Sequence, residues 1–173
     1  MLQIIIIVLA LAADQLSKFL LAPVLSSLPG NTLPVIEGVF HLTYVQNKGA
    51  SFGMLQGKQP LFIIITVIVL VAATVYIIRG RKTHPLFLKN TLALLWAGAF
   101  GNLIDRVVFG YVRDLFDFRI INFWVFNAAD SCLVIGAIFL CVYFLFIYKD
   151  KPCADKTGEH TQALGGAEKN KRD

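Results

Sequence analysis

Charged residues are scarce in this sequence of 173 residues. They make up 16% of it, whereas hydrophobic residues make up 57% and the mean hydropathy is +0.68. A soluble globular domain typically has about 25% charged residues, so the shortage of charge excludes that class and indicates a membrane protein. The net charge of +5 does not indicate nucleic acid binding, because no aromatic residues are interleaved with a basic patch.

Cysteine and histidine are also rare, with three of each, and their positions exclude several kinds of site. The cysteines form no CxxC motif and no disulfide framework, so we interpret them as small packing residues. His41, His84 and His160 lie far apart, and the motifs HExxH, GxSxG and GxxxxGK[ST] are absent. These absences disfavour zinc, serine-nucleophile and phosphate-loop chemistry, and we expect neither a metal nor a cofactor.

Four apolar stretches are long enough to cross a membrane as helices, which takes about 20 residues each. We therefore predict an all-α membrane protein with one membrane-spanning domain, residues 1–148. The basic tail, residues 149–173, has a composition that predicts disorder. The predicted spans cover approximately residues 2–21, 60–78, 86–109 and 126–148.

Basic residues set the expected orientation, because loops rich in lysine and arginine stay in the cytoplasm. Both the tail and the link between the second and third spans are basic, so both termini are expected in the cytoplasm. The links 22–59 and 110–125 then face outward. The first span resembles the apolar part of a signal peptide, but no basic segment precedes it, and we expect it to be retained.

The first outward link is predicted to contain a small extracytoplasmic sheet. Residues 39–45 are rich in β-branched and aromatic side chains, which favours a strand, and residues 46–49 have the composition of a turn. The second outward link mixes charged and aromatic residues, which is typical of the membrane interface. We predict an interfacial loop or helix there.

Four aspartates cluster near the outward ends of the last two spans: Asp105, Asp114, Asp117 and Asp130. A charged carboxylate at the centre of a bilayer costs roughly 2.5–3.5 kcal/mol on insertion scales, so several at one depth indicate a function. Two carboxylates a few ångströms apart share a proton. One of them can then take a proton from water while the other donates to a carbonyl oxygen. Either Asp114 or Asp117 is a possible partner for Asp130.

Further polar residues flank these aspartates on the third span. Asn102, Asp105 and Arg106 share one helix face. Asp105 and Arg106 are a possible local ion pair, although adjacent residues do not point the same way, and the alternative is that they bind backbone groups or neighbouring helices. On the fourth span, Asn127 and Asp130 share a face, and Asp130 is either a cap of the helix or a functional acid.

The first span ends with a possible ion pair of its own. Asp14 and Lys18 are four residues apart, and the long Lys18 side chain is expected to reach the outer interface. They are interpreted as a structural pair or as support for a site.

In these residues the sequence resembles the bacterial lipoprotein signal peptidases, the type II signal peptidases, over roughly residues 1–148. The resemblance implies a four-helix membrane aspartic endopeptidase with an extracytoplasmic β-cradle, in the bacterial cytoplasmic membrane, with its site near the outer leaflet. Its substrates would be prolipoproteins, cut just before a diacylglyceryl-modified cysteine. The matching stretches, in the family's order, are Asp14-Gln-Leu-Ser-Lys18, Asn47-Lys-Gly-Ala-Ser-Phe-Gly53, Gly101-Asn-Leu-Ile-Asp-Arg106, Val112-Arg-Asp114 and Phe126-Asn-Ala-Ala-Asp130.

Motif matching assigns the catalytic pair to Asp114 and Asp130. Many members read Val-Asp-Phe where this sequence reads Arg113-Asp114-Leu115, and a second Asp-Phe follows, so Asp117 is the alternative. The resemblance implies no metal, and we expect a monomer. The supporting positions implied by the family's motifs are Asp14, Lys18, Asn47, Gly49, Asn102, Asp105, Arg106 and Asn127.

Two other functions would use the same features. A small proton-coupled membrane transporter would use the acids as a relay, but it would need them along a path across the membrane. A non-catalytic membrane scaffold would account for the aromatic residues and the basic tail but not for converging carboxylates.

Overall fold

Four helices are long and apolar enough to cross a membrane, as the sequence predicts. The computed structural model describes residues 1–49, 58–121 and 123–148, so the expected tail and the whole stretch from Ala50 to Gly53 lie outside the described residues. Helix α4 continues into one π-helical segment, Tyr143–Ile147. The helices are α1 (Leu2–Ser26), α2 (Gln59–Arg79), α3 (Leu86–Phe109) and α4 (Ala128–Val142).

Helix α3 lies at the centre of the bundle and packs against the other three helices. Of its most apolar window, 39% is buried within the protein, compared with 6% for α2, which packs mainly on α3. Glycines allow the close packing of α3 on α4. A Cβ at Gly98 would come within 2.5 Å of the Ala129 carbonyl oxygen, so only a residue without a side chain fits there. Small residues serve the same purpose at many helix contacts in membranes.

A three-stranded antiparallel sheet in the order β1-β2-β3 lies beyond the ends of α1 and α3. The strands are β1 (Thr32–Ile36), β2 (Phe40–Asn47) and β3 (Val112–Phe118). The register pairs His41 with Asp117 and Val45 with Asp114, and a shift between them leaves two residues of β2 opposite Leu115. Because a bulge of this kind bends a strand, the two halves of β2 meet different parts of the molecule.

Two of the three strands differ from the sequence-based expectation. The second outward link, expected to be an interfacial loop or helix, contains β3 and then a short 3-10 turn, Arg119–Ile121. Most residues of β3 are buried on both faces, so polar and apolar residues do not alternate and the strand pattern is hidden. Strand β1 contains Pro34, which is tolerated because β1 is an edge strand. Gln46 and Asn47, expected in a turn, end β2.

A small apolar core joins the sheet to the bundle. Leu115, Leu25 and Ala22 are buried together, and Leu42 and Phe116 pack against them. Strand β3 is also held from its other edge, because the backbone groups of Phe126 exchange hydrogen bonds with those of Phe116. Residue 114, one position before this core, is thereby fixed above the start of α4.

Candidate active site

Asn127 connects the two aspartates that motif matching assigns to catalysis. Its side-chain Nδ2 donates to Asp114 Oδ1 at 2.7 Å, and its backbone N donates to Asp130 Oδ2 at 3.2 Å. Asn127 is also the N-cap of α4, since its Oδ1 accepts from the Asp130 backbone N at 2.9 Å. The capping interpretation of Asp130 is therefore confirmed, because the two residues form a capping box.

Asn102 completes the amide bridge between the aspartates. Its Nδ2 donates to Asp130 Oδ1 at 2.7 Å, and its Oδ1 accepts from Asn127 Nδ2 at 3.2 Å. Each of the two oxygens of Asp130 therefore accepts one hydrogen bond. A carboxylate oxygen has two lone pairs, so each retains one for a water or a substrate group.

Asn47 holds the other oxygen of Asp114. Its Nδ2 donates to Asp114 Oδ2 at 3.1 Å, while its Oδ1 accepts from the backbone N of Gly49 at 3.0 Å. The second contact is a turn closed by a side chain, and it fixes which end of the Asn47 amide faces the aspartate. Gly49 thus supports the site through its backbone, at the end of the described part of this link.

Asp114 is almost fully buried, with 2% of its surface exposed. Burial and then the nearby negative charge of Asp130 raise the pKa of Asp114 to about 7, although the bonds from Asn47 and Asn127 oppose this. A carboxyl group of this kind exchanges a proton near neutral pH, as general acid–base catalysis requires.

Lys18 lies at the centre of a buried charge network. Its Nζ is 2.9 Å from Asp14 Oδ2, 3.2 Å from Asp105 Oδ2 and 3.3 Å from Asn102 Oδ1. The Lys18 side chain is completely buried, so the expectation that it reaches the outer interface is wrong. Two carboxylates offset the cost of burying this cation, which is why it points inward.

Asp14 links the network to the start of α4. Its Oδ1 accepts from the backbone N of Ala129 at 2.9 Å, so a carboxylate from α1 satisfies a free amide in the first turn of α4. Gly101 makes room for this contact, because a Cβ there would lie 2.7 Å from Asp14 Oδ2. The network therefore positions the helix that presents Asp130.

The partner of Asp105 is Arg113 rather than Arg106, the possible local partner. The Arg113 Nη2 is 2.8 Å from Asp105 Oδ1, and the Arg113 backbone N donates to Asp105 Oδ2 at 2.9 Å. Adjacent residues on a helix point in different directions, so Asp105 and Arg106 do not meet. The sequence alone indicates no role for Arg113 or for Gln15, which accepts from Arg113 Nη2 at 3.2 Å. Their positions beside Asp114 and Asp14 in the matched motifs were the available signal.

Arg106 faces α2 instead. Its guanidinium lies over the ring of Phe62, 5.3 Å from the centroid, and its Nη1 donates to the Asn102 carbonyl oxygen at 3.4 Å. The buried Nε has no hydrogen-bond partner among the described residues. Both Asp130 and Asp114 lie within electrostatic reach of this cation.

Asp117, the alternative catalytic residue, belongs to a separate cluster. Its Oδ2 accepts from Thr43 Oγ1 at 2.8 Å and from Arg119 Nε at 2.9 Å. Thr32 and His41 extend this cluster along the sheet. No contact between Asp117 and Asp130 is found in the described part of the chain, so geometry favours Asp114 as the partner.

The arrangement is suited to acid–base chemistry. Two carboxyl groups are bonded to one asparagine, and three amide side chains orient their oxygens. Within residues 1–49, 58–121 and 123–148, no group of three His, Cys, Asp or Glu side chains is placed to hold a metal ion.

Comparisons with known proteins identify the family of this chain. A family model described as "Signal peptidase (SPase) II" matches residues 6–146. The chain is similar to the lipoprotein signal peptidase of Clostridioides difficile strain 630, with 50% identity over 84% of this chain and 96% of that protein. The corresponding protein of Halothermothrix orenii is 45% identical over 80% of this chain and 92% of its own length.

A solved bacterial membrane enzyme structure has the same architecture. It superposes with a TM-score of 0.76 at 38% identity, over 86% of this chain and 92% of that chain. The chain therefore belongs to the signal peptidase II family and is an aspartic-type signal peptidase.

Proposed function

We propose that this protein removes signal peptides from diacylglyceryl-modified prolipoproteins by hydrolysing the peptide bond before the lipidated cysteine. Asp114 and Asp130 act as the general acid–base pair. The observation that carries this proposal is the position of Asn127, which binds a carboxyl oxygen of each aspartate. The relatives named lipoprotein signal peptidase support the choice of substrate.

One proton is shared between the two aspartates at the start of the reaction. The ionised member takes a proton from a water molecule as the water attacks the carbonyl carbon, and the protonated member donates to the carbonyl oxygen. A tetrahedral diol forms. When it collapses, the carbon–nitrogen bond breaks, the amine of the lipidated cysteine takes a proton from one aspartate, and a diol hydroxyl returns a proton to the other, so the pair again holds one proton. The two aspartates titrate as a unit, so neither role is fixed to one residue in advance.

Two side chains beside the pair have further roles in the proposed reaction. The buried Nε of Arg106 has no partner among the described residues, and a peptide carbonyl group would satisfy it. The guanidinium also stabilises the negative charge that develops on the reacting oxygen. Asn47 orients Asp114 and thereby the attacking water.

The location of the site suits a lipidated substrate. Acyl chains on the cysteine keep the bond to be cut at the membrane surface, and the sheet and the aspartates lie together at one end of the bundle. With the basic link between α2 and α3 in the cytoplasm, this end faces the outer leaflet.

Cleavage of a synthetic precursor by the purified protein in lipid tests the proposal. The protein should cut a precursor with a diacylglyceryl-modified cysteine and leave the unmodified precursor intact. Asp114→Asn and Asp130→Asn should insert and fold normally, yet lose at least about 10³-fold of the rate, because neither amide can exchange the proton.

Asp117→Asn is the matched control, since it removes a carboxylate of the same strand whose partners are Thr43 and Arg119. It should retain cleavage. Normal turnover by either Asp114→Asn or Asp130→Asn would refute the assignment of the pair. Proton flux in liposomes without cleavage would instead favour the transporter. Against that function, the buried acids of the described residues lie at one end of the bundle rather than along a path.

A further inference from the structure

Arg113 is a buried cation that the proposed reaction does not use. It is 9% exposed, and its guanidinium lies 4.3 Å from the centre of the Phe109 ring. Its Nη2 and Nε bind the two oxygens of Asp105, at 2.8 and 3.4 Å, and its backbone N binds the same carboxylate. This bidentate contact is the strong form of an arginine–carboxylate pair, and it attaches the residue before Asp114 to helix α3.

Asp105 connects Arg113 to Lys18. The Lys18 ammonium contacts Asp105 Oδ2 at 3.2 Å and also lies close to Asp14 and to Asn102 Oδ1. Asn102 is the residue that donates to Asp130. A continuous series of contacts therefore runs from Arg113 to the catalytic pair.

The charges around the pair balance only when Arg113 is included. In the described part of the chain, four carboxylates and three cations occupy this region, so the site is neutral when the pair holds one proton. Without Arg113 the same state would carry one net negative charge in a largely buried region, which favours uptake of a further proton. The charged groups are Asp14 and Lys18 from α1, Asp105 and Arg106 from α3, Arg113 and Asp114 from β3, and Asp130 from α4, with the phenol of Tyr111 and the thiol of Cys132 nearby.

We propose that Arg113 is a positioning residue that keeps the Asp114–Asp130 pair in its singly protonated form by neutralising Asp105. This inference rests on the proposed function and adds to it a residue that sets the working pH. Within the described residues, the Arg113 side chain contacts Asp105 and Gln15 but neither aspartate of the pair. It therefore acts through Asp105, Lys18 and Asn102.

The pH dependence of cleavage tests this role, using the lipidated precursor and the full protein in lipid. In Arg113→Met, both limbs of the pH–rate profile should move to higher pH, because the loss of a positive charge favours protonation of the pair. We expect a shift of about half to one pH unit for the removal of this one charge. Arg113→Lys keeps the positive charge but not the bidentate contact with Asp105. It should lower the rate while leaving the profile near that of the unchanged protein.

A double variant separates charge from folding. Asp105→Asn combined with Arg113→Met removes one charge of each sign, and its profile should return to the original position. If Arg113→Met alone fails to fold, Arg113→Gln, which also removes the charge, takes its place in the comparison. Arg119→Gln is the matched control, because Arg119 pairs with Asp117 outside this network and should leave the profile unchanged.

The possible outcomes are distinct. If Asp114→Asn and Asp130→Asn abolish cleavage but the Arg113→Met profile is unshifted, or the Lys and Met variants shift equally, the role of Arg113 is refuted and the proposed function stands. If the profile of the double variant stays shifted like that of Arg113→Met, charge balance is not the cause and the inference also fails. If the two asparagine variants remain active, the proposed function itself fails.

Discussion

Asn127 Nδ2 lies 2.7 Å from Asp114 Oδ1, and this contact joins the start of α4 to strand β3. The same residue caps α4 through its Oδ1, so its two side-chain atoms have separate tasks. The nitrogen orients a carboxyl group of the proposed pair, whereas the oxygen stabilises a helix. Substitutions can separate these tasks because several residue types cap helices, but few of them can also donate to Asp114.

Asn127→Ser should keep the cap and lose the contact with Asp114. We expect an unfolding temperature near that of the unchanged protein and a rate of cleavage lower by about 10²-fold, because the carboxyl group is no longer oriented. Asn127→Ala should lose both, with a further destabilisation of about 0.5–2 kcal/mol. Thermal unfolding and cleavage assays measure the two effects. Equal activity of the serine variant and the unchanged protein would show that the contact with Asp114 is dispensable.

The protonation of Asp114 should make the stability of the protein depend on pH. Its pKa is raised to about 7 in the folded protein from a usual value of 3.8, through burial and then the charge of Asp130. The folded state therefore binds the proton more tightly than the unfolded state, and the free energy of unfolding falls as the pH rises from about 4 through about 7. Asp114→Asn removes this contribution.

Unfolding temperatures measured between pH 5 and pH 8.5 provide the check. The unchanged protein should lose stability over this interval more steeply than Asp114→Asn. The stability of Asp117→Asn should depend on pH as steeply as that of the unchanged protein. If unfolding temperature changes with pH equally in the unchanged protein and in Asp114→Asn, the Asp114 carboxyl group is not responsible for the pH dependence.

The sequence predicts the four long apolar helices well, since hydropathy depends on composition within a single segment. The sequence left open whether Asp114 or Asp117 would approach Asp130, because this depends on how the link after α3 folds back, and strand β3 places Asp114 there. Their roles in catalysis stay predictions. Strand β3 was missed because both of its faces are buried, which removes the alternation by which strands are recognised.

Partnerships between distant segments could not be predicted from the sequence. Asp105 has a basic neighbour in Arg106, yet it binds Arg113, which comes near only because the chain turns back after Gly110. Gly110 has a φ of 76°, a left-handed conformation that favours glycine at the end of a helix. The burial of Lys18 likewise requires two carboxylates from different helices, and no local spacing reveals the second one.

Gly101 should tolerate no side chain, because three helices meet beside it. A Cβ there would lie 2.7 Å from Asp14 Oδ2 and 3.2 Å from Ala129 Cβ. Gly101→Ala should therefore destabilise the protein by about 1–3 kcal/mol and displace Asp14 from the backbone N of Ala129. Val108→Ala, at a position of the same helix that is 64% exposed, is the control and should unfold close to the unchanged protein. Equal unfolding temperatures for the Gly101→Ala variant and the unchanged protein would contradict the tight contact.

Lys18 should be essential for stability rather than for proton transfer. Lys18→Met leaves Asp14 and Asp105 buried, and among the described residues Arg113 is then the one cation in contact with Asp105. Removing one partner of a buried ion pair typically costs about 3–5 kcal/mol, because the other charge is left uncompensated. Adding Asp14→Asn should restore a large part of this loss, since the amide is neutral and can still accept from Ala129 N. Unfolding of the single and double variants in lipid or mild detergent measures the coupling between the two residues. Additive losses would mean that the Lys18–Asp14 contact at 2.9 Å contributes no coupling.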